Sequence, residues 1–352
     1  MNEWFLCLPE EELTFVMRVL LASVVALGAI IGSFLNVCIY RIPLEQSVVR
    51  PRSHCFGCGK TIPWYHNLPV LSWFILRGKC AYCKRPISFR YPVIEALTAF
   101  LFLLIFQMWG NPTLFGLRAL PQPEWIPFLW LFAASTIVNV MIDIDHRILL
   151  DRISLGGTLM AFGFCAAYPV WMGCEAWLPA LTRSLIGAAA GFGTGCLIAW
   201  GGRQIFLQDA FGFGDVKWMM LFGALFRWQG MLAILTLGSL LGLAMGVGVL
   251  LVGRLRKTLD AAQPVAIPFG PALGTAALIW LFWGHHLCRA ALALHDWSLT
   301  HNNTFLLILG PLALLTLAWL CIRIHFIRKA IREEEALEAL EPTHEESPNH
   351  DA

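Results

Sequence analysis

Nine apolar runs, most of them long enough to cross a lipid bilayer as helices, constrain this chain more than any other feature. At 1.5 Å of rise per residue, a span needs about 20 predominantly apolar residues. The runs lie near 14–40, 91–109, 126–143, 153–172, 184–201, 216–228, 231–252, 266–286 and 304–322. The run at 216–228 is short, and either spans at a tilt or dips into the membrane. In hydrocarbon every backbone N–H and C=O must be satisfied inside the protein, which a helix does segment by segment. The expected fold class is therefore an all-α polytopic membrane protein with about eight or nine transmembrane helices. Composition agrees: of 352 residues, 58% are hydrophobic and 14% charged, against roughly 25% charged in a soluble domain. A net charge of +2 gives no basis for a nucleic-acid partner. The partner implied by the runs is membrane lipid.

Basic residues orient the spans. The N-terminus has no basic leader, and Glu3, Glu10, Glu11 and Glu12 precede the first run, so that run reads as an anchor rather than a cleavable signal. Residues 41–90 hold Arg41, Arg50, Arg52, Lys60, Arg77, Lys79, Lys84, Arg85 and Arg90 against the single acid Glu45. This loop is expected in the cytoplasm and the N-terminus outside. Counting onward, the inside loops contain His146-Arg147, Arg203, Arg254-Leu255-Arg256-Lys257 and the segment from Arg323 to Arg332. The outside loops carry only Arg118, Arg183 and Arg289. The acidic, polar tail after Arg332 is expected to begin as a helix and end disordered. Four parts follow: an anchor at 1–42, a cytoplasmic loop at 43–90, a membrane core at 91–286, and an extra helix with a charged tail at 287–352.

Eleven cysteines occur. Seven are scattered, and Cys7, Cys38, Cys165, Cys174, Cys196, Cys288 and Cys321 read as small apolar filler. The other four form the pairs Cys55-Phe56-Gly57-Cys58 and Cys80-Ala81-Tyr82-Cys83, a spacing close to that of a zinc ribbon. Each pair puts two thiolates on one tight knuckle, and two knuckles complete a tetrahedron of sulfurs. Bound metal would supply folding energy to a loop too short and polar for a large core. The competing arrangement, two disulfides, is disfavoured by the expected cytoplasmic side. Four sulfur ligands leave no open position, so the expected zinc is structural and the loop zinc-ribbon-like.

Few acids lie in or beside the apolar runs, and such acids are functional candidates. Asp143 and Asp145 end the third run in Ile142-Asp143-Ile144-Asp145-His146-Arg147; Asp215 opens the sixth in Phe211-Gly212-Phe213-Gly214-Asp215. The topology puts both sites at the cytoplasmic face. Two neighbouring carboxylates cannot readily both ionise. One can then activate water while its protonated partner polarises a peptide carbonyl, the division of labour of aspartic proteases. Other assignments stand beside this one. Asp145 could pair with His146 or Arg147, Asp151 could cap the next helix, and Lys217 could neutralise Asp215 in an ion pair without catalysis. Glu95 is either an interfacial anchor or part of a polar site. A scaffold or an ion or proton relay is the competing class of function. It would place polar residues through the helix centres, yet 126–142, 153–172 and 231–252 contain no charged residue.

Six segments in order resemble the type IV prepilin peptidases, membrane aspartic proteases with a GxGD motif. They are Gly32-Ser33-Phe34-Leu35-Asn36-Val37 followed by Arg41-Ile42-Pro43, the two cysteine knuckles, Arg90-Tyr91-Pro92-Val93-Ile94-Glu95, Ile142-Asp143-Ile144-Asp145-His146, Gly212-Phe213-Gly214-Asp215, and Ile267-Pro268-Phe269-Gly270-Pro271. The resemblance spans roughly residues 20–285 and differs at Leu149-Leu150-Asp151, where the family often has Leu-Pro-Asp. It implies a bacterial inner-membrane enzyme that removes leaders from prepilins or pseudopilins, on the cytoplasmic side and usually after a glycine. It assigns the catalytic pair to Asp143 and Asp215. The loop with Cys55, Cys58, Cys80 and Cys83 is similar to that of bifunctional members, which also N-methylate the new N-terminus with S-adenosylmethionine. No methyltransferase glycine loop is visible in the chain.

Overall fold

A computed structural model describes residues 10–206, 211–255 and 268–300. Eight α-helices are present among them: α1 (Glu10–Arg41), α2 (Leu71–Ile75), α3 (Arg90–Gly110), α4 (Ile126–His146), α5 (Asp151–Ala167), α6 (Trp177–Phe206), α7 (Phe213–Leu255) and α8 (Gly270–Thr300). Among the described residues five stretches are long and apolar enough to cross a membrane: Thr14–Arg41, Arg90–Gly110, Pro123–His146, Trp177–Gln204 and Phe213–Val249. The last contains two of the expected runs, and α7 breaks at Arg227 (φ 63°, ψ 171°). Divided there, the long helices give eight segments for eight runs. The ninth run, at 304–322, and the charged tail lie outside the described residues.

The chain separates into two compact units, one of residues 1–198 and 211–287, the other of 199–210 and 288–352. The described part of the second unit consists of the C-terminal ends of α6 and α8. Everything that follows concerns the first.

Small residues set the helix spacing in this unit. A Cβ on Gly223 of α7 would be driven into the Gly187 carbonyl of α6, and one on Gly187 into that of Gly223. The two backbones therefore touch, the approach that small residues permit between membrane helices. Gly28 and Gly32 of α1 likewise meet the α3 backbone at Ala99 and Glu95. Asn36 fixes that crossing in register by donating to the carbonyls of Gly32 (3.3 Å) and Tyr91 (3.2 Å). Larger side chains fill the interior around α4 and the first half of α7, where Leu129, Ile142, Trp218, Phe222 and Leu225 are fully buried.

The break at Arg227 removes helical partners from the carbonyls just before it, and in a membrane these must be satisfied by other means. Ser184 Oγ donates to Ala224 O (2.7 Å) and Trp171 Nε1 to Leu225 O (2.7 Å). Cys165 Sγ adds a weaker contact to Ala224 O at 3.7 Å. Two neighbouring helices and a 3₁₀ turn (Pro169–Met172) thus hold the kink.

Candidate active site and metal centre

Asp143 sits in the last turn of α4, 6% exposed. The helix stops because Arg147 turns left-handed (φ 57°) and returns its N–H to Asp143 O at 2.9 Å. A helix C-terminus is a poor place for an anion. The compensation comes from α8, whose first residue, Gly270, donates its backbone N–H to the Asp143 carboxylate. A Cβ at Gly270 would collide with that carboxylate, so only glycine permits this approach.

Asp215 is the third residue of α7. Gly212 O accepts from the N–H groups of Asp215 (3.1 Å) and Val216 (3.4 Å), and the Asp215 carboxylate accepts from Gly212 N–H. The bond from Gly212 N–H to the carboxylate is one half of a capping box, glycine having no side chain to return the other. It would be a complete structural account of Asp215 but for two facts. Oδ1 is buried with no hydrogen-bond partner among the described residues, a costly state for a polar atom. And Asp215 lies within electrostatic reach of Asp143. The sequence places the two acids 72 positions apart; the fold brings them to one site.

The other acids have different partners from those expected. Asp145 pairs with Arg90, the first residue of α3, at 2.7 Å, rather than with His146 or Arg147. Asp151 is the first residue of α5, where Leu150 is the N-cap, and makes no side-chain cap. Its carboxylate instead takes the Lys217 ammonium, both oxygens at 2.7 Å. Lys217 is thereby committed to Asp151 and not to Asp215. Glu95 is buried in α3 and accepts from Val70 N–H at 2.6 Å and from the Ser33 hydroxyl, so it belongs to a polar site. Asn139, fully buried one turn before Asp143, went unnoticed in the sequence. Its Oδ1 accepts Leu150 N–H at 3.3 Å. That bond steadies the α4–α5 turn, whose Leu149 packs against Gly214 beside Asp215. A polar residue in an apolar run four positions before an acid was the available signal.

The four loop cysteines converge. All four Sγ atoms lie within 4.8 Å of one another, and Cys55 and Cys83 are 3.7 Å apart. Tetrahedral zinc with bonds of about 2.3 Å needs sulfurs separated by about 3.8 Å, so the set fits zinc. Neither pair is a disulfide. The knuckles repeat one design. Cys55 N–H donates to Lys60 O (3.0 Å) and Cys80 N–H to Arg85 O (2.9 Å), while the chain turns left-handed at Gly59 (φ 70°) and at Lys84 (φ 59°). Backbone N–H groups of Gly57 and Cys58 hold the Cys55 thiol down to about 6, which favours the thiolate that a metal requires. Of the scattered cysteines, Cys38, Cys165 and Cys174 are buried, Cys196 half-buried and Cys288 exposed; Cys7 and Cys321 lie outside the described residues.

Comparison with known proteins matches residues 26–109 to the bacterial peptidase A24 N-terminal domain and residues 125–247 to the type IV leader peptidase family. A prepilin leader peptidase/N-methyltransferase of Myxococcus xanthus (strain DK1622) is 37% identical over 257 residues, covering 73% of this chain and 70% of that protein. Those of Aeromonas hydrophila and Pseudomonas putida are each 32% identical, over 293 and 288 residues; they cover 74% of this chain and 89% and 90% of their own lengths. No solved structure matches the chain. With both domain models matched in order, and the cysteine cluster in one and the two acids in the other, the chain belongs to the type IV leader peptidase family.

Proposed function

We propose that this protein cleaves the leader peptide of prepilins or pseudopilins at the cytoplasmic face of the bacterial inner membrane and N-methylates the residue so exposed. The observation that carries the cleavage is the meeting of Asp143 and Asp215 at one end of α4 and α7, each held by a glycine N–H. The pair titrates as a unit. In the hydrolytic state one carboxyl keeps its proton. The ionised partner takes a proton from water, whose oxygen attacks the scissile carbonyl carbon, while the protonated carboxyl donates to the carbonyl oxygen. Collapse of the tetrahedral adduct returns a proton to the leaving amine. Gly270 and Gly212 N–H groups orient the carboxylates, and the unpartnered Asp215 Oδ1 is free to bond water or substrate. The apolar helix of the substrate would stay in lipid while its basic leader meets the two acids.

Cys55, Cys58, Cys80 and Cys83 would hold zinc, whose contribution is structural because four thiolates complete its tetrahedron. Methylation is supported by the names of the relatives; S-adenosylmethionine would supply the methyl group. The scaffold or relay class has no support among these relatives.

The test is digestion of a purified prepilin in liposomes, read by intact mass, with wild type beside Asp143→Asn and Asp215→Asn. The expected result is a shorter product with wild type alone, one methylene heavier when the methyl donor is present. Normal processing by folded Asp215→Asn enzyme would refute the pair.

A further inference from the structure

The loop between α1 and α3 leaves several of its largest apolar side chains uncovered. Trp64, Leu71, Phe74 and Ile75 are each 59–73% exposed. On α2 the exposed three stand at i, i+3 and i+4, one face of a helix, while Ser72, Trp73 and Leu76 line an internal cavity under the loop. A large apolar face of this kind is a binding surface. Its depth identifies the partner. Val70, the N-cap of α2, donates its N–H to the Glu95 carboxylate at 2.6 Å, and the same carboxylate accepts from the Ser33 hydroxyl. The bond holds Val70 at a positive φ (62°), which a β-branched residue seldom adopts. Both Glu95 and Ser33 lie inside spanning helices. Glu95 is about 7 Å along α3 from its start at Arg90, and Ser33 about 12 Å back from the end of α1 at Arg41. A helical side chain leans toward the N-terminus, so the Glu95 carboxylate reaches back to the first turn of α3. The start of α2 is thereby moored level with the ends of the spans and not above them. Trp73 donates Nε1–H to Ile87 O at 3.1 Å and packs between Phe74 (5.3 Å) and the exposed Phe89 (5.2 Å), which directly precedes α3. Rings thus run from α2 onto the start of α3. This level is where aromatic rings gather in membrane proteins and where in-plane helices bury one face about 5–10 Å into lipid. Just after α2, Arg77 and Lys79 are exposed, and neither pairs with an acid among the described residues.

We propose that α2 is an interfacial membrane anchor: Leu71, Phe74 and Ile75 enter the leaflet beneath the cysteine loop, Trp64 rests at its surface, and Arg77 and Lys79 meet anionic lipid headgroups. This placement depends on α1 and α3 crossing the membrane and not on the reaction catalysed. The loop is then fastened at a third point besides the two helices that bear it. Charge favours lipid over a protein partner. Residues 46–90 contain no acid, so the whole loop is cationic beside a surface that in an anionic leaflet is negative.

Photo-crosslinking in a bilayer reads the contact directly. The photoreactive p-benzoylphenylalanine replaces Phe74 or, in a second variant, Ile75; both side chains are exposed, so the protein should fold with either change. The same replacement at Phe100, exposed in the middle of α3, is the lipid-facing reference. Each full-length protein is placed in nanodiscs of equal phosphatidylglycerol and phosphatidylcholine, with and without a purified prepilin, irradiated, and read by intact and fragment mass. Zinc content and melting temperature are measured alongside. The expected result is a phospholipid adduct at 74 and 75 in a yield comparable to that at 100, attached at the glycerol or upper acyl carbons. Phosphatidylglycerol should be captured over phosphatidylcholine by about fivefold or more, since each surface cation contributes about that factor. Adding Arg77→Gln and Lys79→Gln together should return the ratio toward one. Lipid captured at 100 but not at 74 or 75 would overturn the anchor. So would adducts at 74 and 75 to the prepilin or to a second copy of the chain in place of lipid. Equal capture of the two lipids before the cations are removed would overturn the assignment to anionic headgroups.

Discussion

Replacing Gly270 by alanine tests the reasoning about the acids at a position that is itself neither an acid nor a base. Built on the existing backbone, the new Cβ would overlap Asp143 Oδ2 and lie 3.0 Å from its Cγ and 3.4 Å from its Cβ. Ordinary carbon contacts begin at about 3.5 Å. Relief requires the carboxyl to withdraw by about 1 Å or the start of α8 to move away, and either loosens the Gly270 N–H bond. Misplacing a reacting group by about 1 Å costs about 10²-fold in rate. Overpacking a filled site costs about 1–3 kcal/mol of stability. Gly270→Ala should therefore lower the cleavage kcat about 10²-fold with a KM near wild type, since the change moves the reacting carboxyl. Gly242→Ala is the control. It lies on α7 against the same end of α8, but its Cβ would meet Phe269 and Ala272 at an ordinary 3.5–3.6 Å. Cleavage of a fluorogenic leader peptide in liposomes measures both variants. Wild-type kcat in a folded Gly270→Ala protein would show that the close approach of α8 to Asp143 has no part in the reaction.

Lys217→Ala should leave cleavage within about threefold of wild type and stability within about 1 kcal/mol, because the ammonium serves the half-exposed Asp151; a collapse of kcat would return Lys217 to Asp215. Gly223→Ala should depress the melting temperature and expression sharply. Its clash is with a backbone carbonyl, which no rotamer change relieves; an unaltered melting curve would contradict the close α6–α7 crossing. Stripping zinc with a strong chelator should loosen the loop and lower the melting temperature, since the four thiolates of Cys55, Cys58, Cys80 and Cys83 are what hold its two knuckles together; an unchanged melting curve would argue against a structural metal. Zinc uptake by the stripped protein should weaken steadily as pH falls, because each of the four thiols must shed its proton to bind the metal; pH-independent uptake would argue against thiolate ligation.

Much of this architecture was legible in the chain. The apolar runs foretold the helices, because membrane hydropathy is a local property. The cysteine pairs foretold their own convergence, because four thiols at that spacing have one common solution in a reducing compartment. What stayed hidden depended on contacts between distant segments. The separate runs at 216–228 and 231–252 implied two segments but not the residue at which they part. The chain breaks at Arg227, and Gly230 remains helical, where an added Cβ would run into Trp280 of α8. Charge pairing misled in the same way. Neighbouring cations were the natural partners for Asp145 and Asp215, but Arg90 and Lys217 reached across to Asp145 and Asp151. Sequence proximity cannot rank such pairs when helix ends gather several charges within one plane.

The glycines beside the acids show why residue type and not only acidity defines the site. Asp143 ends a helix and Asp215 begins one, so their macrodipoles act in opposite senses: the first destabilises a carboxylate and the second favours it. Unassisted, Asp143 would face the carbonyl end of its own helix with no donor. Gly270 N–H at the start of α8 gives Asp143 what Gly212 N–H gives Asp215, a backbone donor at a helix N-terminus. Each carboxylate is thereby given one backbone donor, which fixes where its oxygens point. At Gly270 that donor depends on the missing Cβ. Any side chain there pushes the donor away from Asp143 and loosens the hold on its carboxyl.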